Sequence, residues 1–235
     1  MPFNLFGGRK ADDDVPADLS SGVAAYEAGL RCQNRCDYVK AVEHYARAEK
    51  AFRQFGDKVK LIMCLNNMAS LCIHTGGLEI GLAALEEAEK LCRETGDVEE
   101  LAKVRNNQGA LHVKMGNPRL ALPCLEEKER ICRSIGDMRG VGSSLGNQAA
   151  ALFEMGEFQK AAPLLTEVER ICRRYEEWRG LGNALRNQAV IAARAGDNNA
   201  AAGRMREAIS VYEKAKDRQG VSDCREMLEE IQRHI

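Results

Sequence analysis

Four asparagines stand at matching places in this chain: Asn67, Asn107, Asn147 and Asn187, each forty residues from the next. A carboxamide carries a donor and an acceptor on one short side chain. A row of them can bond the backbone of an extended or helical segment whatever its sequence, and can equally bond neighbouring helices. Other residues share their helical phase. Met63, Asn66, Asn67 and Ser70 lie at i, i+3, i+4 and i+7, one face of one helix. The matching stripes are Lys103, Asn106, Asn107, Ala110, then Ser143, Gly146, Asn147, Ala150, then Asn183, Arg186, Asn187, Val190. Asn is a mediocre helix former, so four in register need a reason. Two are open: contact with a bound segment, or a tie from one repeat to the next. The first stripe, Val23, Tyr26, Glu27, Leu30, is mostly apolar, whereas the later ones carry Lys103 and Arg186 and, one turn on, Lys114 and Arg194. Such a gradient suits a partner with hydrophobic and acidic residues.

Chemistry of other kinds is missing. His44, His74, His112 and His234 fall in no HExxH motif, and the chain has no Gly-rich phosphate loop and no serine elbow. Cys32 and Cys36 are spaced CxxxC, but no second pair has zinc-like spacing. Cys32 shares a column with Cys72, and Cys92, Cys132 and Cys172 share another, so the nine cysteines read as core filling. No catalytic residue, metal ligand or cofactor site is expected, and the chain is expected not to be an enzyme. A net charge of −1, from 34 basic and 35 acidic residues, gives no footprint for nucleic acid. No apolar run approaches the ~20 residues that cross a bilayer. Residues 1–10 lack a secretory pattern, and Asp12, Asp13 and Asp14 follow them, so a cytoplasmic location is expected.

The elements that position these residues emerge from the period itself. Gly56, Gly96 and Gly136 are forty residues apart, as are Gly76, Gly116, Gly156 and Gly196, and the two columns lie twenty residues apart. Gly is favoured just past a helix end because it accepts the left-handed conformation. Each repeat therefore splits into two helices. Asp57, Asp97, Asp137 and Asn117 are candidate N-caps for the helices that follow. The expected organisation is a flexible tail over 1–17, five repeats over 18–57, 58–97, 98–137, 138–177 and 178–217, and a capping helix over 218–235. Short turns make neighbouring helices antiparallel. Small residues recur midway along the first helix (Gly29, Ala69, Gly109, Ala149, Ala189) and early in the second (Ala41, Gly81, Ala121, Ala161, Ala201), where two helices approach closely. Pro123 and Pro163 fall about a turn inside their helices, where each removes a backbone hydrogen bond and could bend the helix start.

These columns resemble the tetratricopeptide repeat. Gly29, Cys36-Asp37-Tyr38, Ala41, Tyr45 and Ala48 follow its pattern in the first repeat, and Ala69, Gly76, Gly81, Leu85 and Ala88 in the second. The forty-residue period is similar to that of kinesin light chains, spindle-orienting G-protein regulators and bacterial arrays. The resemblance implies an all-α fold, a right-handed solenoid of antiparallel helix pairs whose first helices line a concave groove. It implies a protein-interaction scaffold that binds a peptide or protein segment there. Self-assembly into homo-oligomers and regulation of an enzyme are the alternatives. Family members that clamp a C-terminal carboxylate use Lys, Asn and Arg across three repeats. Only Asn67, Lys103 and Asn107 match, so that ligand is not expected. Gln108, Gln148 and Gln188 stand where the family has Leu, at an inward position. A buried amide needs partners, and Glu129 and Glu169 on the paired helix are placed to supply them. Phe3, Leu5 and Phe6 form an apolar cluster on the tail that could dock in a groove or on a membrane surface.

Overall fold

The computed structural model describes residues 18–233, and those residues form eleven helices with no strand among them. The tail over 1–17 and its Phe3, Leu5 and Phe6 lie outside the described residues. The chain divides into two compact units, Met1–Gly116 and Asn117–Ile235. The first holds α1 (Leu19–Asn34), α2 (Tyr38–Gln54), α3 (Lys58–Thr75), α4 (Leu78–Thr95) and α5 (Val98–Lys114). The second holds α6 (Pro118–Ser134), α7 (Met138–Glu154), α8 (Phe158–Tyr175), α9 (Trp178–Arg194), α10 (Asn198–Lys214) and α11 (Arg218–Gln232).

The helix ends follow from local chemistry. Asp57, Asp97, Asp137, Asp197 and Asp217 each accept a hydrogen bond from the backbone N–H three residues on, closing the first turn. Asn117 does not cap in this way. Pro118 occupies the first helical position, and the Leu120 N–H goes to the Asn117 backbone carbonyl at 3.0 Å. The glycine positions at the turns have φ near +70° to +91°. Cys36, Glu176 and Lys216 adopt the same left-handed conformation at φ 55–59° without the freedom of glycine. Both α6 and α8 run unbroken through Pro123 and Pro163.

Within each unit the core is apolar and closely fitted. Consecutive helices pack pairwise, and α3 also meets α5, as α7 meets α9. Ala41, Tyr45, Ala69, Leu85 and Ala88 are fully buried in the first unit, as are Ala149, Ala161, Ala189, Ala201 and Met205 in the second. Seven of the nine cysteines, all except Cys32 and Cys36, are buried as free thiols. The small columns fit large neighbours. A Cβ at Gly29 would lie 2.7 Å from the Tyr45 ring, and one at Gly182 would lie 2.8 Å from the Tyr212 ring. The last helix, α11, lies against α10 and buries Gly220, Cys224 and Ile231.

One polar node recurs in this apolar interior. Gln108 and Gln148 are 3% and 5% exposed, so their amides must find partners inside. Gln108 Nε2 donates to Glu89 at 2.9 Å, Gln148 to Glu129 at 2.8 Å and Gln188 to Glu169 at 3.0 Å. The same carboxylates accept from an arginine one turn on: Arg93, Arg133 and Arg173. Arg133 and Arg173 continue to Glu167 and Glu207 on the next second helix, as Arg53 does from Glu49 to Glu87. The node thus links helices that are nineteen and thirty-four residues apart in the chain.

Burial alone pushes the Glu89 and Glu169 carboxyls up. Hydrogen bonds from Gln108 and Arg93, and from Arg173 and Gln188, together with the nearby guanidinium charges, outweigh it and hold both below the ordinary 4.5. Glu49 has Met68 where the others meet Gln, and burial holds its carboxyl above 4.5 despite Arg53. The depressed carboxyls contribute stability above pH 4.5 that is lost as pH falls through their folded values. The raised one acts in the opposite sense, and its contribution is lost as pH rises above 4.5. Urea unfolding between pH 3 and 7 is therefore expected to show a shallower acid-side loss in Glu169→Gln than in the native chain, and no such flattening in Glu49→Gln.

Candidate functional site

The amide stripe falls on the first helix of each pair, and the structure shows how its two central columns meet. Asn67 Nδ2 donates to the Tyr26 hydroxyl at 2.8 Å, and Asn107 Nδ2 donates to Asn66 Oδ1 at 2.9 Å. Both bonds span forty-one residues, so each runs from one column to the adjacent column of the preceding repeat. Asn66 is 7% exposed, and Asn106 adds a 3.3 Å bond to Asn107 Oδ1. In the first unit, then, Asn66, Asn106 and Asn107 form one connected run, and Asn67 forms a second tie. This is the repeat-to-repeat use of the amides. Burial raises the Tyr26 hydroxyl pKa, and the Asn67 bond only partly counters that.

In the second unit the same register breaks. The residue forty-one before Asn187 is Gly146, which has no side chain to accept a bond. A Cβ there would meet nothing within 4 Å, so the position opens on free space. Asn187 is half-buried and forms no side-chain hydrogen bond among the described residues. Around it Ser143, Asn147, Ala150 and Asn183 are exposed, whereas Val141, Gly142, Leu145, Ala149, Leu181 and Leu185 of the same two helices are buried. Asn183 accepts from the Tyr212 hydroxyl at 2.6 Å, which anchors α9 to α10. Arg186 is half-buried on the same stripe.

The remaining predicted cations are distributed differently. Lys103 is exposed and paired with Glu100 one turn away. Lys114 is exposed at the end of α5. Arg194 is exposed with its guanidinium carbon 4.5 Å from the centre of the Phe158 ring, and Phe158 also meets Phe153 edge-on. A cation escaped the sequence reading altogether. Lys128 is 7% exposed on α6, and its Nζ donates to Ser143 Oγ at 3.0 Å. Its column otherwise holds Ala48, Ala88, Val168 and Ala208, and that break was the available signal. Burial pushes the Lys128 ammonium below the ordinary 10.5. Among the described residues no group of three His, Cys, Asp or Glu is placed to hold a metal ion, and no helix is long and apolar enough to cross a membrane.

Comparison with known proteins agrees with this fold. Residues 140–214 match the family model described as Tetratricopeptide repeat, and residues 26–106 match that of Anaphase-promoting complex subunit 5. No curated protein matches the chain. Among solved structures it is similar to a Signal Transduction ATPase with Numerous Domains with a tetratricopeptide repeat sensor from Pyrococcus horikoshii, with a TM-score of 0.78 at 16% identity over 87% of this chain and 31% of that one. It is similar to a Rap protein complexed with Competence and Sporulation Factor, with a TM-score of 0.71 at 13% identity over 92% of this chain and 66% of that one. It is also similar to the nearly identical tetratricopeptide-like repeats of a kinesin light chain from Podosopora anserina, with a TM-score of 0.69 at 16% identity over 84% of this chain and 97% of that one. The chain thus spans less than a third of the first of these proteins and just under two thirds of the second. At such identities the likeness is one of fold.

The ties make a prediction of their own. Asn107→Ala leaves the buried Asn66 Oδ1 without its donor, a loss of about 1–3 kcal/mol. Asn187→Ala breaks no such bond and is expected to change stability by less than about 0.5 kcal/mol. Urea unfolding monitored by far-ultraviolet circular dichroism distinguishes the two.

Proposed function

We propose, from the premise that the chain is a tetratricopeptide-repeat protein, that it is a non-enzymatic scaffold holding a peptide or protein segment along the stripe of its first helices. The observation that carries this reading is the broken tie at Gly146. Where Tyr26 and Asn66 accept bonds from Asn67 and Asn107, the next repeats leave Asn187 with donor and acceptor both unused beside an open position. A half-buried amide in that state is matched to a backbone N–H and C=O arriving from outside. The exposed Ser143, Asn147, Ala150 and Asn183 extend the same face, and Arg186 adds a cation beside Asn187. The Rap structure solved with Competence and Sporulation Factor supports the idea that a fold of this kind holds another molecule.

On this reading the predicted residues divide by role. Asn66, Asn67, Asn106 and Asn107 hold the first repeats together. Asn183, Arg186 and Asn187 offer contacting groups, and exposed Asn147 lies on the same face. Panning a library of short random segments against the full chain is expected to select binders. Those binders should lose about tenfold in affinity, roughly 1.4 kcal/mol, on Arg186→Ala/Asn187→Ala, while the unfolding midpoint of that variant stays near the native one. Equal affinity of the selected segments for both proteins would remove the stripe from the binding surface.

A further inference from the structure

We infer that Arg186 is the charge-reading group of this surface, and that its guanidinium takes the side-chain carboxylate of an Asp or Glu within the bound segment. The inference rests on the binding role proposed for the stripe and adds the chemistry of what is bound. The first observation is a missing partner. Lys60, Arg105, Lys128 and Arg204 are, with Lys50, the other buried or half-buried Lys and Arg side chains of the described residues, and each engages another group. Arg186 is half-buried and forms no hydrogen bond or ion pair among the described residues. The register of the stripe explains why. Asn67 and Asn107 reach back forty-one residues to Tyr26 and Asn66, and the residue forty-one after Arg186 is Met227, whose side chain carries no oxygen. Gly146, forty before it in the same column, has no side chain at all.

The guanidinium is open as well as unpaired. No guanidinium nitrogen of Arg186 and no amide atom of Asn187 is among the buried side-chain atoms that lack a partner, so water reaches them. Burial pushes the Tyr212 hydroxyl up to about 12 and the charge of Arg186 opposes it, which sets the guanidinium near the hydroxyl that donates to Asn183 at 2.6 Å. Asp223 on α11 acts on the same hydroxyl, but it accepts from Gln219 at 2.7 Å and forms no ion pair with Arg186. A guanidinium that has already lost part of its water binds a carboxylate through two parallel N–H bonds, in a medium less screened than bulk water. Asn187, next along α9, keeps donor and acceptor for the backbone of the same segment. Met227 continues the stripe onto α11 in the column of Asn187, so the segment runs on past Arg186 and the acid it presents is internal rather than a chain end. The other cations of the stripe lack this constraint: Lys103 is exposed and paired with Glu100, and Arg194 is exposed over the Phe158 ring.

The test uses the full native chain, Arg186→Met and Arg186→Glu, each panned against one library of short random segments displayed with both ends blocked, and against the same library with free C-termini. The native chain is expected to select, from the blocked library, segments with Asp or Glu at one fixed position. Replacing that acid by its amide should weaken binding about tenfold. Arg186→Met should select no acid there and bind the acid and amide forms equally, and Arg186→Glu should select Lys or Arg in its place. Arg186→Met keeps an apolar stem and breaks no bond, so its urea midpoint is expected at or above the native one. The acid-to-amide comparison on the native chain needs no variant if Arg186→Glu does not fold. An unchanged acid preference in Arg186→Met, or native-chain binders with no fixed acid, would overturn this inference while leaving the stripe as a binding face. An acid preference seen only with free C-termini would also overturn it, as would a clear fall in the Arg186→Met midpoint, which would give the guanidinium a structural partner. A native chain that selects no segment would overturn the binding role itself.

Discussion

A half-buried carboxylate in a helix seam needs donors, and in this protein those donors come from the helices packed around it. Glu129 and Glu169 each sit in the seam between a second helix and the first helix that follows it. Each accepts from a glutamine across the seam and from an arginine on its own helix, and Glu169 also accepts from Arg204 on α10. The arginine then reaches the next second helix. A leucine in place of the glutamine would tolerate sliding, because apolar contact is non-directional. An amide bonded to a carboxylate does not. The node therefore fixes register as well as holding helices together, and the stripe on the first helices inherits its spacing from it.

Much of this was legible from the forty-residue period. Helix positions, the turn glycines, the Asp caps and the buried cysteines all followed from residues whose type decides their place. The Gln–Glu bonds were legible too, because a buried amide demands a partner and the paired helix offers one of suitable length. The Asn ties were less so. Their direction depends on a forty-one-residue offset, column to adjacent column, which periodicity alone does not reveal. Asn117 shows a different limit: Pro118 after it shifts the first-turn bond to the backbone carbonyl, and the side chain goes unused. Lys128 escaped because its column reads as core. A long side chain can occupy a core position and still deliver its charge to a surface.

The two units thus put one residue type to two uses. In the first unit the amides are spent on neighbouring helices and make a fixed surface. In the second a glycine stands where an acceptor would be, and Asn187 is left unbonded. A repeat protein gains specificity by such local departures, since identical repeats present identical surfaces. Gly146 and Lys128 are departures of this kind, and the helices that carry them run unbroken.

The coupling between Gln148 and Glu129 tests the account at its base. A double-mutant cycle with Gln148→Leu and Glu129→Ala, read by urea unfolding at pH 7, isolates their interaction from the separate effects of each change. The account predicts a favourable coupling of about 1.5–3 kcal/mol, the range for a hydrogen bond to a charged group, and a net loss of stability for Gln148→Leu alone. A coupling near zero, with Gln148→Leu more stable than the native chain, would show that apolar packing sets the register and that the node follows from it.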